Sequence, residues 1–313
     1  MLSSLAVVLE QPKRLTLTTL PIDAPAAADV VVETLWTGVS AGTERLLFTG
    51  RMPDFPGMGY PLVPGYESVG RVVEAGPEAQ VAVGEQVFVP GARCFGPVRG
   101  IHGGAASRLV AAGSRVVPVS TALGENAVLL ALAATALHAL SGSATQKGAL
   151  IVGHGVLGRL LARLAVLAGG EPPVVWEKNP LRSDGAAGYA VTTPEEDARK
   201  AYPVIIDVSG DAAALDTLVQ RLAPGGEIVL AGFYDRVAFA FPPAFMREAR
   251  FRIAAQWREG DLAKIAQLVE AGDLSLDGLI THRAPASAAP EAYPVAFEDP
   301  GCLKMVLDWR TQS

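Results

Sequence analysis

Six residues, Gly153-His154-Gly155-Val156-Leu157-Gly158, constrain this chain more than any other feature. The spacing GxGxxG is common and carries little meaning alone. Here it follows a short apolar run, Ala149-Leu150-Ile151-Val152, and opens a helical stretch from Val156 to Ala168. That stretch places Leu157, Leu160, Leu161, Leu164 and Leu167 on an inward face, with Arg159 and Arg163 on the other. A strand that enters a glycine turn and leaves as a helix is the context the motif requires. Gly153 is expected to make the tight turn, Gly155 to let the backbone approach a pyrophosphate, and Gly158 to let helix and strand pack closely. The helix N-terminus, with Val156 and Leu157, then faces the phosphates.

The alternation continues downstream. Val174-Val175-Trp176, Val204-Ile205-Ile206-Asp207 and Ile228-Val229-Leu230-Ala231 read as buried strands, with helical segments between them that include Ala212 to Leu222. Alternating strands and helices predict a parallel, doubly wound sheet of the Rossmann type. Glu177 ends the second strand, 24 positions after Gly153. An acid there accepts hydrogen bonds from an adenosine ribose and repels a 2′-phosphate, which favours NAD over NADP. Lys178 and Arg182 are nearby cations that soften this preference.

The first ~120 residues have a different texture, rich in Gly, Pro and β-branched residues. Val30 to Thr34, Gly70 to Glu74 and Gln86 to Val89 read as short strands separated by turns. The texture changes near Ala122. After Trp257 come an amphipathic helix, Leu262 to Ala271, a Pro/Ala-rich stretch and a last apolar segment, Leu303 to Trp309. A chain of 313 residues exceeds the usual size of one core. The expected organisation is an α/β chain of two domains. Residues 1–122 with 260–313 form an irregular β-rich domain, and 123–259 form the dinucleotide-binding domain.

Several classes of partner are disfavoured. The net charge is −6 and no basic residues cluster, so nucleic acid is not expected. The two cysteines, Cys94 and Cys302, form no CxxC pair, which fits a reducing cytosol. The N-terminal MLSSLAVVLE lacks the basic flank and long apolar core of a signal peptide. The most apolar run, Ala127 to Leu140, is about fourteen residues, short for a membrane span, and reads as a buried helix.

The order of motifs resembles the medium-chain dehydrogenase/reductase superfamily over nearly the whole chain. Val39-Ser40-Ala41-Gly42-Thr43-Glu44 looks like its Cys-Gly-Thr/Ser-Asp segment, and Val63-Pro64-Gly65-Tyr66-Glu67 like its Pro-Gly-His-Glu segment. Gly103-Gly104-Ala105-Ala106, Ala133 to Leu140, Ala271 to Leu274 and Leu303 to Leu307 are similar to later motifs of the same family. The resemblance implies a GroES-like catalytic domain beside the Rossmann domain. It places Thr135, Ser209, Gly210, Gly232 and Phe233 near a nicotinamide and makes Lys304 a contact of the pyrophosphate.

Zinc members of that superfamily bind catalytic metal through positions that correspond here to Ala41, Tyr66 and Ala131. Alanine offers no donor, and a catalytic zinc needs three protein ligands and an open position. Glu67 alone does not suffice. The histidines, His102, His138, His154 and His282, are dispersed along the chain and read as structural or solvated. The expected site is therefore metal-free. Thr43 corresponds to the hydroxyl that bonds the substrate oxygen. Tyr66 stands at a vacated metal position, as hydrogen-bond donor, acid/base group or cavity filler. Glu44 and Glu67 are expected to orient these two, and Leu46 occupies a position sometimes held by a relay histidine.

The loop from Phe48 to Leu62 carries Met52, Phe55 and Met58, adaptable apolar side chains suited to a bulky ligand or to core packing. SAGTERLLFTG together with PLVPGYESVG is similar to a branch of the superfamily that acts on chlorin pigments. That resemblance implies NAD-dependent oxidation of a hydroxyethyl group to acetyl in bacteriochlorophyll biosynthesis. It also implies a small-molecule pigment substrate and peripheral contact with membranes through that substrate; a homo-oligomer is compatible. A zinc-free enone or quinone reductase and a non-catalytic nucleotide-binding protein stay open as alternatives.

Overall fold

The computed structural model describes residues 2–310. It divides into two compact units, Met1–Ala131 with Asp277–Ser313, and Leu132–Leu276. Met1 and residues 311–313, assigned from sequence to the first domain, lie outside the described residues. The helix Asp261–Glu270 belongs with the second unit, not with the first as the sequence suggested. It buries Ile265, Ala266 and Val269, and the loop after it offers the Ser275 carbonyl to Arg163 at 2.8 Å.

The second unit is built on six parallel strands. In spatial order these are Ala190–Thr192, Val174–Trp176, Ala149–Val152, Tyr202–Asp207, Leu222–Leu230 and Arg250–Ile253. Numbered along the chain, that is the doubly wound order 3-2-1-4-5-6. The strand order reverses between Ala149–Val152 and Tyr202–Asp207, so a crevice opens at their carboxyl ends. The central strands are apolar up to Asp207 because both faces are covered; Leu150, Ile151, Ile205 and Ile206 are fully buried.

Not every connection is helical, as the strand–helix alternation had suggested. The links 177–189 and 193–201 hold no α-helix, only a 3-10 turn at Pro180–Arg182. Pro180, Pro194, Gly185 and Gly188 interrupt them. The segment read as a helix from Ala212 to Leu222 is a 3-10 turn, Ala212–Ala214, and a short helix, Leu215–Gln220. The helix Val156–Leu167 forms where expected, with two corrections. Leu167 is 43 % exposed, at the helix end. Arg159, placed from sequence on the solvent face, is buried beneath the link 177–189.

The first unit is β-rich. Asp29–Val39 is its central strand and pairs antiparallel with Ser68–Ala75, Arg108–Ala112 and Met305–Asp308. A second sheet joins Arg14–Pro21, Ser3–Gln11, Leu62–Val63 and Arg99–Gly100. The last strand, Met305–Asp308, thus closes the unit against residues that precede it by more than 260 positions, Met305 pairing with Val39.

Among the described residues, one helical run, Thr121–Leu140, is long and apolar enough to cross a membrane by length and composition. It kinks at Gly124, and Ala127 to Ala131, Ala133, Ala134 and Ala136 are fully enclosed in the protein. An all-round apolar helix with such burial is a core element.

Candidate active site

In the second unit the fingerprint joins the strand Ala149–Val152 to the helix Val156–Leu167. Gly153 sits at φ +104°, where a side chain would be strained. A Cβ on Gly158 would meet the Gly153 carbonyl at 1.8 Å, so only glycine lets the helix start there. Gly155 differs from both: its backbone is extended, and a Cβ there would meet nothing within 4 Å. The space is open to an approaching group, in front of the first turn with Val156 and Leu157. A pocket of about 270 Å³ lies alongside, lined by Gly153, Glu177, Lys178, Ser209 and Asp211 among others. Glu177 is fixed from two sides: Oε2 accepts from the His154 N–H at 2.9 Å and Oε1 from the Asn179 N–H at 2.8 Å.

The two strands beyond the reversal bring their ends together. A Cβ on Gly232 would meet the Gly210 nitrogen at 2.7 Å. Asp207 joins them and was missed from sequence. Its carbonyl accepts from Ala231 and Gly232, while its Oδ1 accepts from the Ser209 N–H and hydroxyl at 2.8 and 2.6 Å. Ser209 therefore spends its proton within the unit. Phe233 is half-exposed beside this junction, and Thr135 is buried on the helix Leu130–Leu140.

In the first unit a polar cluster is buried where Asp29–Val39 gives way to the short helix Thr43–Thr49. The Ser40 hydroxyl lies 2.8 Å from the Tyr66 phenol and accepts from the Thr43 N–H at 3.3 Å. The Thr43 side chain also reaches the phenol. Burial, with the Glu67 charge beside it, pushes the Tyr66 pKa far above the ordinary phenol value. His102 packs edge-on against the Tyr66 ring, 5.1 Å between centroids. Sequence spacing had left that histidine isolated.

Two fully buried carboxyls and one amine complete the cluster. Glu44 accepts from the Ser40 N–H at 2.7 Å and from the Tyr293 hydroxyl at 2.7 Å. Burial raises its pKa from 4.5 to about 7, against the pull of those hydrogen bonds. Glu67 Oε2 pairs with Lys304 Nζ at 2.6 Å, and the amine also donates to the Val39 carbonyl at 3.2 Å. Lys304 is 2 % exposed. The pyrophosphate contact expected of it is corrected in this respect: within its unit the ammonium is committed to balancing a buried carboxylate, which would otherwise be a costly lone charge. Gly38 makes room for that pair, since a Cβ there would sit 2.2 Å from Glu67 Oε2.

A catalytic zinc does not fit this donor set. Ala41 and Ala131 present no ligand atoms, Tyr66 holds its proton, and one oxygen of Glu67 is taken by Lys304. Among the described residues, no three His, Cys, Asp or Glu gather as they would around a metal. In the loop after the helix, Met52 and Met58 pack on a small core of Leu9, Leu47, Leu62 and Ile101, while Phe55 stands exposed. Packing therefore claims part of what the sequence offered as a substrate surface.

A glycine-cradled doubly wound unit joined to a β-rich unit with this motif order defines an alcohol-dehydrogenase-like protein. Residues 26–121 match the alcohol dehydrogenase GroES-like domain. The chain is 56 % identical over 306 residues to the 2-desacetyl-2-hydroxyethyl bacteriochlorophyllide A dehydrogenase of Rhodobacter capsulatus, covering 97 % of this chain and 98 % of that one. It belongs to the medium-chain dehydrogenase/reductase family. In fold it is similar to an Escherichia coli CFT073 alcohol dehydrogenase solved with NADH (TM-score 0.84, 20 % identity, 98 % and 99 % of the two chains). It is also similar to a Sinorhizobium meliloti zinc-binding dehydrogenase solved with NADP (TM-score 0.82, 22 % identity, 98 % and 100 %).

Proposed function

We propose that this protein is an NAD-dependent secondary-alcohol dehydrogenase that oxidises the 3-(1-hydroxyethyl) group of a bacteriochlorophyllide to acetyl, without zinc, in bacteriochlorophyll biosynthesis. The observation that carries the reading is the whole-length identity to the Rhodobacter capsulatus dehydrogenase. The open space at Gly155, the pocket beside Glu177 and the zinc-incompatible donor set support it.

A bound nicotinamide would supply the hydride acceptor. Val156, Leu157 and the glycine turn would hold its phosphates, Glu177 its ribose hydroxyls, and Gly210, Gly232 and Phe233 would border the ring. Thr43 orients the carbinol oxygen. The carbinol proton passes to solvent water as the hydride leaves, because Tyr66, kept neutral by its raised pKa, is a donor and not a base; the Thr43 hydroxyl and the phenol hydrogen-bond the substrate oxygen as the carbonyl forms. Ser40 fixes the direction of the phenol. Lys304 balances the Glu67 carboxylate within the same cluster. Phe55 presents an apolar surface to the pigment. Cys94 and Cys302, buried and outside any disulfide, fit a reducing, cytoplasmic setting, with membranes met through the apolar substrate.

Purified protein, NAD and the hydroxyethyl pigment test the reading. The expected result is one NADH formed per acetyl pigment, undiminished by a zinc chelator. NADH binding without any turnover would replace the reading with a nucleotide-binding protein; NADPH-driven enone reduction would replace it with a reductase.

A further inference from the structure

The link from Glu177 to the strand Ala190–Thr192 lacks a helix, and a side chain inside the glycine fingerprint holds it in place. His154 is fully enclosed. Its Nδ1 lies 2.6 Å from the Arg182 carbonyl, which only accepts, so Nδ1 carries the proton. Nε2 then accepts from the Tyr189 hydroxyl at 2.8 Å, and the two rings meet edge-on, 5.6 Å between centroids. Burial and the Arg159 charge press the imidazole pKa below its ordinary value, which keeps the neutral form this bonding needs.

Arg159 tightens the same clamp from the helix. Its Nε donates to the His154 carbonyl at 3.1 Å and a terminal nitrogen donates to the Arg182 carbonyl at 3.0 Å. Its guanidinium fills the space at Gly185, where a Cβ would come within 2.2 Å of it. Glu177 is tied to both ends, to His154 in the fingerprint and to Asn179 in the link. The acid that reads the ribose and the neighbouring cations Lys178 and Arg182 therefore share one anchor.

We propose that His154 is a positioning residue for cofactor choice: it pins segment 178–189 to the fingerprint, keeps Glu177 on the ribose hydroxyls and keeps the cations of that segment from receiving a 2′-phosphate. The proposal rests on the reading that this unit binds NAD.

Equilibrium titration of NADH and of NADPH, followed by nucleotide fluorescence, tests it without any pigment. The wild type binds NADH more tightly than NADPH. His154→Leu removes both ring bonds, and the NADH/NADPH affinity ratio falls about tenfold, the size expected when a buried hydrogen-bonded anchor is lost. His154→Asn places an amide N–H near the Nδ1 position, keeps the Arg182 bond and lies between. Tyr189→Phe removes only the other bond and matches the asparagine variant. A merely structural role weakens both nucleotides alike, and an unchanged ratio across the variants overturns the proposal. If His154→Leu does not fold, an unchanged ratio in the asparagine and phenylalanine variants overturns it equally. A wild type that prefers NADPH, or binds neither, is a separate result: it overturns the NAD reading, and the proposal with it.

Discussion

Single residues in the buried cluster of the first unit carry opposed demands of charge. Glu44 has a folded pKa near 7 against 4.5 in the unfolded chain, so between those values the native state holds more protons than the unfolded state. Stability contributed by its protonation is present below pH 4.5 and is lost as pH rises to about 7. Glu44→Gln should therefore flatten the decline across that window, measured as the difference between wild-type and variant urea midpoints; a parallel decline in both would assign it to other groups. Lys304→Met strands the Glu67 carboxylate and should cost about 3–5 kcal/mol, whereas the double variant with Glu67→Gln should recover most of that loss. Thr43→Val should lower kcat with pigment by roughly 10²–10³-fold, the usual cost of one donor to a developing oxyanion, and leave NADH binding unchanged. Tyr66→Phe should cost less. The reverse ranking would make the phenol the principal group on the substrate oxygen. Thr43, Tyr66, Glu44 and Glu67 could be picked out because they stand in recognisable short motifs. Tyr293 could not: it meets Glu44 across 249 positions of sequence, and no local pattern encodes such a contact.

At the scale of elements, the fingerprint shows why some features are legible and others are not. Its glycines answer local demands, a positive φ at Gly153 and a carbonyl 1.8 Å from a would-be Cβ at Gly158, so their spacing is written in the chain itself. The two outer glycines should be distinguishable from Gly155 by substitution. Gly158→Ala should lower the melting temperature and abolish NADH binding together. Gly155→Ala should melt like the wild type, because its Cβ meets nothing, yet bind NADH weakly, because that Cβ occupies the space left for phosphate. Equal melting losses in both would remove the distinction. Arg159 shows the opposite case. Helical periodicity puts its charge outside, and it would be outside if the next connection were a helix on the sheet. A link broken by prolines and glycines folds over it instead and supplies carbonyls for its donors.

For the whole molecule, the doubly wound sheet and the β-rich unit were readable because strand and helix periods differ and change near one point in the chain. The exact seam was not, because the helix Asp261–Glu270 is amphipathic and would suit either unit; only its buried Ile265, Ala266 and Val269 assign it. Metal content belongs to this scale too. Elemental analysis of the purified protein should find far less than one zinc per chain, and stoichiometric zinc lost together with activity would contradict the reading of Ala41, Tyr66 and Ala131. NADH at a hundred times its Kd should stabilise the protein by about 2.7 kcal/mol, with slowed amide exchange concentrated in residues 149–232.

The pairing of Glu67 with Lys304 also sets an order on synthesis. The two are 237 residues apart, and a ribosome adding about 5–20 residues per second needs roughly 10–50 s to cover that distance. During that interval the second unit, contiguous from Leu132 to Leu276, is synthesised whole, while the first has a carboxylate awaiting its counter-charge. Chains truncated before residue 300 should therefore resist protease in the second unit and be cut freely in the first, and chains that extend through Lys304 and the strand Met305–Asp308 should close that gap in one step.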